Sequence, residues 1–312
     1  MLSRIADALF WMNRYIERSE GILRTIKTNY TTSLEKYEGI DYSWAPVLKT
    51  FTDLSEDKIQ SLSGDTHQVL QYMLVDMENF NSIRNNIYQA RENARIVQDY
   101  ITKELWEAIN EYYLLVKSDA IEKSLSYGEA NQIVVKLIQQ SIYFYGVAEV
   151  TMPRGLGWNI MNIGKFIERT IQTSNLLQMK KIDINQAHIN ILDMPYWKNL
   201  LLSLSGYEFY MKINNNGLIP KDVINMLVFN ENFPRSIFYC NTKIHHITEK
   251  IARDKNETNK NLLRQSSRIA GDIKYSDIDT LSLKGLHDFL DETIYEIYEF
   301  SNTISKAYFA YY

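Results

Sequence analysis

The five residues Tyr15-Ile16-Glu17-Arg18-Ser19 return as Phe166-Ile167-Glu168-Arg169-Thr170, the first of several echoes in this chain of 312 residues. Trp44 and Leu48 answer Trp197 and Leu201, and Met73-Leu74-Val75 answers Met226-Leu227-Val228. Glu78-Asn79-Phe80 recurs unchanged as Glu231-Asn232-Phe233, with Ser82-Ile83 following against Ser236-Ile237. The offset drifts only from 151 to 154, as small loop insertions would produce. Collinear matches at one offset mark an internal duplication, and a unit that cannot bury all its apolar faces packs against its copy. The sequence therefore predicts two diverged repeats, 1–151 and 152–312, related by a pseudo-twofold and packed as one compact unit.

The repeating unit is helical. Five prolines and twelve glycines are too few to turn the many strands of a sandwich or barrel, whereas long helices need little punctuation. Ile5, Leu9, Met12 and Ile16 return every three to four residues, and Ile83, Ile87, Ala90, Ala94, Val97 and Ile101 alternate steps of four and three. The period continues through Leu105, Ile109, Tyr112 and Val116, then through Ile160, Ile163, Ile167 and Ile171, and again through Ile237, Cys240, Ile244, Ile247 and Ile251. Between them, one or two shorter helices with turns around Gly39 and Gly64 are expected before Asp65, and Ser126-Tyr127-Gly128-Glu129 has capping-box spacing. The charged stretch Arg253 to Gly271 reads as exposed helix ends or a connecting loop. The fold class is an all-α helical bundle.

A net charge of −4 gives no reason to expect nucleic acid, whose binders concentrate basic surface. No apolar run approaches the ~20 residues a membrane-spanning helix requires. Arg4, Asp7, Arg14, Glu17 and Arg18 interrupt what would be the core of a secretory signal, and Cys240 is the lone cysteine. A cytoplasmic location is expected. The histidines make no Glu-x-x-His pair, and neither HExxH, a P-loop nor a Gly-x-Ser-x-Gly elbow occurs. No metal or cofactor is implied, and no motif specifies a catalytic machine.

Two charged stripes remain. Asn13, Glu17, Glu20 and Arg24 line one side of the first helix, with Gly164, Glu168 and Asn175 in the matching stripe of the second repeat. Arg84, Arg91 and Arg95, interleaved with Tyr88, border another seam, so acidic and basic stripes of different helices are placed to meet. They read either as a structural ion-pair network or as an Arg-lined pocket for an anionic small molecule or peptide, since guanidinium matches carboxylate and phosphate. Arg154 and Trp158 sit in Met152-Pro153-Arg154-Gly155-Leu156-Gly157-Trp158, a hinge or a place for close ligand approach. Pro234-Arg235-Ser236 opens a helix whose first N–H groups receive either a cap or an anion.

The run Met1-Leu2-Ser3-Arg4-Ile5-Ala6 together with Trp11-Met12-Asn13-Arg14-Tyr15-Ile16-Glu17-Arg18, Ala90-Arg91-Glu92-Asn93-Ala94-Arg95, Gly157-Trp158 and Ile167-Glu168-Arg169 resembles the bacterial alpha-E family, a helical domain of unknown function named for its helices and its Glu-Arg motif. Trp106, Asn110 and Pro234-Arg235-Ser236 extend the resemblance over nearly the whole chain. Asn13 and Lys165 depart from it where glycine and arginine are typical, as do Ser19 and Thr170 where alanine is. The resemblance implies the company of an ATP-grasp ligase and a transglutaminase-like peptidase, and hence a part in peptide or amide synthesis. On this reading the chain is a binding or scaffold component. The alternative is an enzyme using Glu17 or Glu168 as general base beside Arg18, Arg91 or Arg169.

Overall fold

A computed structural model describes residues 3–34, 43–179, 194–214, 217–253, 257–279, 281 and 285–309. Among the described residues there are fifteen helices and no strand. They are α1 (Ser3–Leu34), α2 (Ala45–Phe51), α3 (Glu56–Leu62), α4 (Thr66–Leu74), α5 (Ile83–Ile96), α6 (Lys103–Lys117), α7 (Ala120–Ser126) and α8 (Ala130–Thr151). There follow α9 (Leu156–Gln178), α10 (Met194–Ser203), α11 (Tyr207–Ile213), α12 (Pro220–Phe229), α13 (Ile237–Ile251), α14 (Glu257–Lys274) and α15 (Leu286–Tyr308). No helix among the described residues is long and apolar enough to cross a membrane.

The chain divides into two compact units, Trp11–Pro153 and Met1–Phe10 with Arg154–Tyr312. The boundary falls inside α1, whose residues up to Phe10 belong with the carboxy-terminal part of the chain. In that unit Phe10 meets Phe309 at 5.1 Å between ring centres. Gly157, in the first turn of α9, leaves room for Leu9, whose Cδ1 would stand 3.2 Å from an added Cβ.

In the Trp11–Pro153 unit α6 packs against α5 and α8, and Tyr145 of α8 reaches Glu17 of α1. The seam predicted from sequence is the core: Ile83, Ile87, Ala90, Ala94 and Val97 have no exposed surface, nor have Leu105, Ile109, Tyr112 and Val116. One boundary was invisible in that seam. Thr102 ends the run and caps α6 by accepting from the Leu105 amide, so the chain reverses without glycine or proline. In the other unit α9, α13, α14 and α15 form a closed ring of neighbours, a four-helix arrangement flanked by α10 to α12.

Two expectations are corrected. Arg253 to Gly271 is not mainly a loop: α14 fills most of it, burying Asn259, Leu262, Ser266, Ile269 and Ile273. The small polar Asn259 and Ser266 occupy core-facing turns, which disguised the period. Ser126 does not cap α8. It closes α7, its hydroxyl donating to the Glu122 carbonyl, while Gly128 at φ 75° turns the chain so that the Glu129 amide bonds back to Ser124. Of the expected turns, Gly64 follows α3, and Gly39 lies outside the described residues.

The repeated words fall at matching places in the helix order. Ser82 and Ser236 both cap, accepting from the Asn85 and Tyr239 amides, and each follows the turn that holds the shared Glu-Asn-Phe. The two phenylalanines differ in fate. Phe233 is buried, stacked on Phe209 at 5.7 Å, whereas Phe80 is 84% exposed. Gly206 makes the difference possible, since a Cβ there would meet Phe233 Cζ at 2.9 Å. At an offset of 153, Gly206 and Phe209 correspond to Asp53 and Glu56, which offer Phe80 no such bed.

Gly206→Ala is expected to lower stability by about 1–3 kcal/mol through overpacking, read as a shift in the urea midpoint. Tyr112 gives a pH prediction. Burial pushes its phenol well above the usual tyrosine range, the Ser141 hydroxyl bond opposes this and the Glu20 charge adds to it. The folded state therefore holds Tyr112 neutral where the unfolded chain ionises, so its stabilisation is complete below the ordinary tyrosine value and is lost as pH rises past it. Tyr112→Phe should flatten the alkaline limb of the stability profile relative to wild type.

Candidate functional site

The Glu-Arg elements are built into the two most enclosed helices. Along α1, Asn13, Arg14, Glu17, Ser19 and Glu20 are all buried together with Met12, Ile16 and Leu23. Along α9, Asn162, Glu168, Thr170, Gln172, Thr173 and Ser174 share burial with Ile163, Ile167 and Leu177. Helices covered on almost every side must satisfy their polar groups internally. The Tyr145 hydroxyl donates to Glu17 Oε2 at 2.6 Å, Arg24 pairs with Glu20 one turn away, and Arg14 lies over the Trp11 ring at 4.7 Å. Glu17 has no exposed surface and Glu168 is 3% exposed. A general base must reach its proton donor, and neither carboxylate is open to solvent.

The arginines that follow these glutamates lie nearer the surface. Arg18 extends over Tyr15 at 5.7 Å and donates to Asn81 Oδ1 at 3.5 Å. Arg169 extends over Phe166 at 5.8 Å and donates to the Pro234 carbonyl at 3.5 Å. Arg235 is buried, and its carbonyl accepts from Thr173. Ser236 caps α13, so the opening of that helix is closed by its own side chain.

The basic stripe of α5 serves its own neighbourhood. Arg84 donates to the Val116 carbonyl at the end of α6 and pairs with Glu122 of α7 at 2.6 Å. Arg91 pairs with Glu92 at 2.6 Å, donates to Asn110 Oδ1 and lies over Tyr113 and Trp106 at 4.9 and 5.5 Å. Arg95 reaches the same Glu92 at 3.6 Å, and Asn93 donates to the Gln89 carbonyl. Arg91, Glu92, Trp106 and Asn110, which carried part of the family resemblance, thus form one half-exposed cluster across α5 and α6.

One open concavity lies in the other unit, at the start of α9. A cleft of about 570 Å³ is lined by Arg154, Gly155, Leu156, Trp158, Asn159, Lys250, Ile251 and Arg253. The Arg154 guanidinium sits 3.9 Å from the Trp158 ring centre, a fixed cation on an aromatic shelf. Gly155 caps α9 without a side-chain bond, so the first helix amides belong to the same rim. Lys250 and Arg253 are exposed and have no carboxylate partner among the described residues. The sequence pointed to Arg154 and Trp158. It gave no hint of Lys250 and Arg253, because the carboxy-terminal end of α13 comes to α9 only through tertiary packing. No group of three or more His, Cys, Asp and Glu suited to a metal ion occurs among the described residues.

The buried Glu17 site is tested by a double-mutant cycle. Tyr145→Phe strips a donor from a buried carboxylate and should cost about 1.5–3 kcal/mol in urea unfolding. Combined with Glu17→Gln it should cost less than the sum, the deficit measuring the pair.

Comparison with known proteins bears on the whole of this architecture. Uncharacterized proteins of Mycobacterium bovis and Mycobacterium tuberculosis are each 22% identical to the chain over 257 residues, covering 76% of it and 28% of the relative. The chain thus spans less than a third of the length of these curated relatives. No solved structure matches it. A family model for Alpha-E, described as a predicted alpha-helical domain with a conserved ER motif, matches residues 1–309, and the chain accordingly belongs to the Alpha-E family.

Proposed function

We propose that this chain is a non-catalytic helical binding or scaffold component of an ATP-grasp-linked, amide-forming system of the cytoplasm, with a transglutaminase-like peptidase as a further partner. The observation that carries the reading is the contrast between sealed and open charge. Glu17 and Glu168 are enclosed and act as internal braces, whereas the cations Arg154, Lys250 and Arg253 line an open cleft beside Trp158. Reactions that join a carboxylate to an amine present an anionic substrate before the bond forms, and a shelf of fixed cations suits holding one.

The duplication is part of the same proposal. Two diverged copies of one helical unit account for matching caps at Ser82 and Ser236 and for the recurrence of Glu-Arg in both α1 and α9.

Co-expression of the chain with an ATP-grasp ligase encoded beside it tests the proposal. A stable complex that raises ligase turnover in the presence of ATP is the expected outcome, with Arg154→Ala reducing the stimulation. Absence of a complex across ionic strengths, or amide formation by the chain alone, would overturn it.

A further inference from the structure

The cleft does not end at α9. A second concavity of about 380 Å³ is lined by Lys243, His246, Ile247, Glu249, Lys250 and Arg253, so Lys250 and Arg253 belong to both. Lys243, His246 and Lys250 are spaced by three and four residues on α13, which places them in one row along the helix. Arg253 continues the row just past the helix end, and Arg154 stands across from it on its Trp158 shelf. Glu249 is the one acidic residue in either lining, and it is engaged by His246 Nδ1 at 3.2 Å and His245 Nε2 at 3.7 Å. Lys243 has a second aromatic support, its ammonium lying 5.0 Å from the Tyr239 ring centre.

We infer that these joined clefts form a groove for an extended acidic peptide segment, one with carboxylates spaced along its chain. The inference rests on the reading of the molecule as a binding component, and it names the class of ligand. Three features select a linear polyanion. The cations are strung out: Lys243 and Lys250 are separated by about 10 Å of helix, the reach of about three extended residues. A compact phosphate would need donors converging on one point, whereas these line an open trough. The floor is part apolar, with Leu156, Trp158, Ile247 and Ile251 offering surface to the aliphatic part of glutamate side chains. The cation density is that of a short stripe on an acidic protein of net charge −4, too little for a nucleic-acid track.

The test uses the full chain and a fluorescein-labelled hexaglutamate peptide, followed by fluorescence anisotropy. Saturable binding that weakens with added salt is expected. The double variant Lys250→Ala/Arg253→Ala should bind about tenfold more weakly or worse, with an unchanged circular dichroism spectrum, because both side chains are exposed. Lys250→Arg/Arg253→Lys should retain binding, and Glu249→Gln should tighten it several-fold by removing the one like charge. No binding by wild type, or equal binding by the double variant, overturns the inference. So does displacement by millimolar inorganic phosphate, which would mark a compact anion site, or equal affinity for an oligothymidylate of matched charge. Hexaglutamate binding without any ligase complex would sink the functional proposal and leave the groove standing; a ligase complex without hexaglutamate binding would do the reverse.

Discussion

The constraint on which the structure depends is the enclosure of α1 and α9. A helix exposed on one side can turn its polar residues to water, and these two cannot. Every carboxylate, amide and guanidinium on their covered faces needs a partner within the protein, at a penalty of several kcal/mol for an ion left alone. Tyr145 on Glu17, Arg24 on Glu20 and Trp11 beneath Arg14 are answers to that demand. Such polar contacts are directional in a way that leucine packing is not, so they select one rotation and one height for each helix in its surroundings. The Glu-Arg element divides the labour: its glutamate is committed to the interior, and its arginine spreads over an aromatic ring toward the outside.

Much of the fold was legible because helical period survives in a single sequence. Ile83 to Ala94 and Ile160 to Ile171 announce their buried faces directly, and the core follows them. Failures came where a polar residue did an apolar residue's work. Asn259 and Ser266 point into the core of α14, and their chemistry reads as solvent-facing loop. The break at Thr102 was hidden because a threonine cap needs neither glycine nor proline. Ser126 misled in the opposite sense, for the same serine spacing serves the end of one helix as well as the start of the next, and Gly128 decides which.

The site was legible only in part, for a geometric reason. Arg154 and Trp158 are close in sequence and share the turn that starts α9, so their association can be anticipated. Lys250 and Arg253 stand nearly a hundred residues away on a helix whose outer face looks like ordinary solvated surface. Their significance comes from the neighbour that tertiary packing supplies. The Arg84, Arg91 and Arg95 stripe divides: Arg84 meets an acid on another helix, Glu122 of α7, whereas Arg91 and Arg95 turn to Glu92 on their own helix, a short-range partner that costs less chain entropy to engage.

The assignment of the first ten residues to the same unit as Arg154–Tyr312 bears on how the molecule is made. During translation those residues emerge well ahead of the side chains that cover them, Phe309 against Phe10 among them. Ile5, Leu9 and Phe10 must wait as uncovered apolar surface while the intervening helices are made, a state that invites chaperones or premature association.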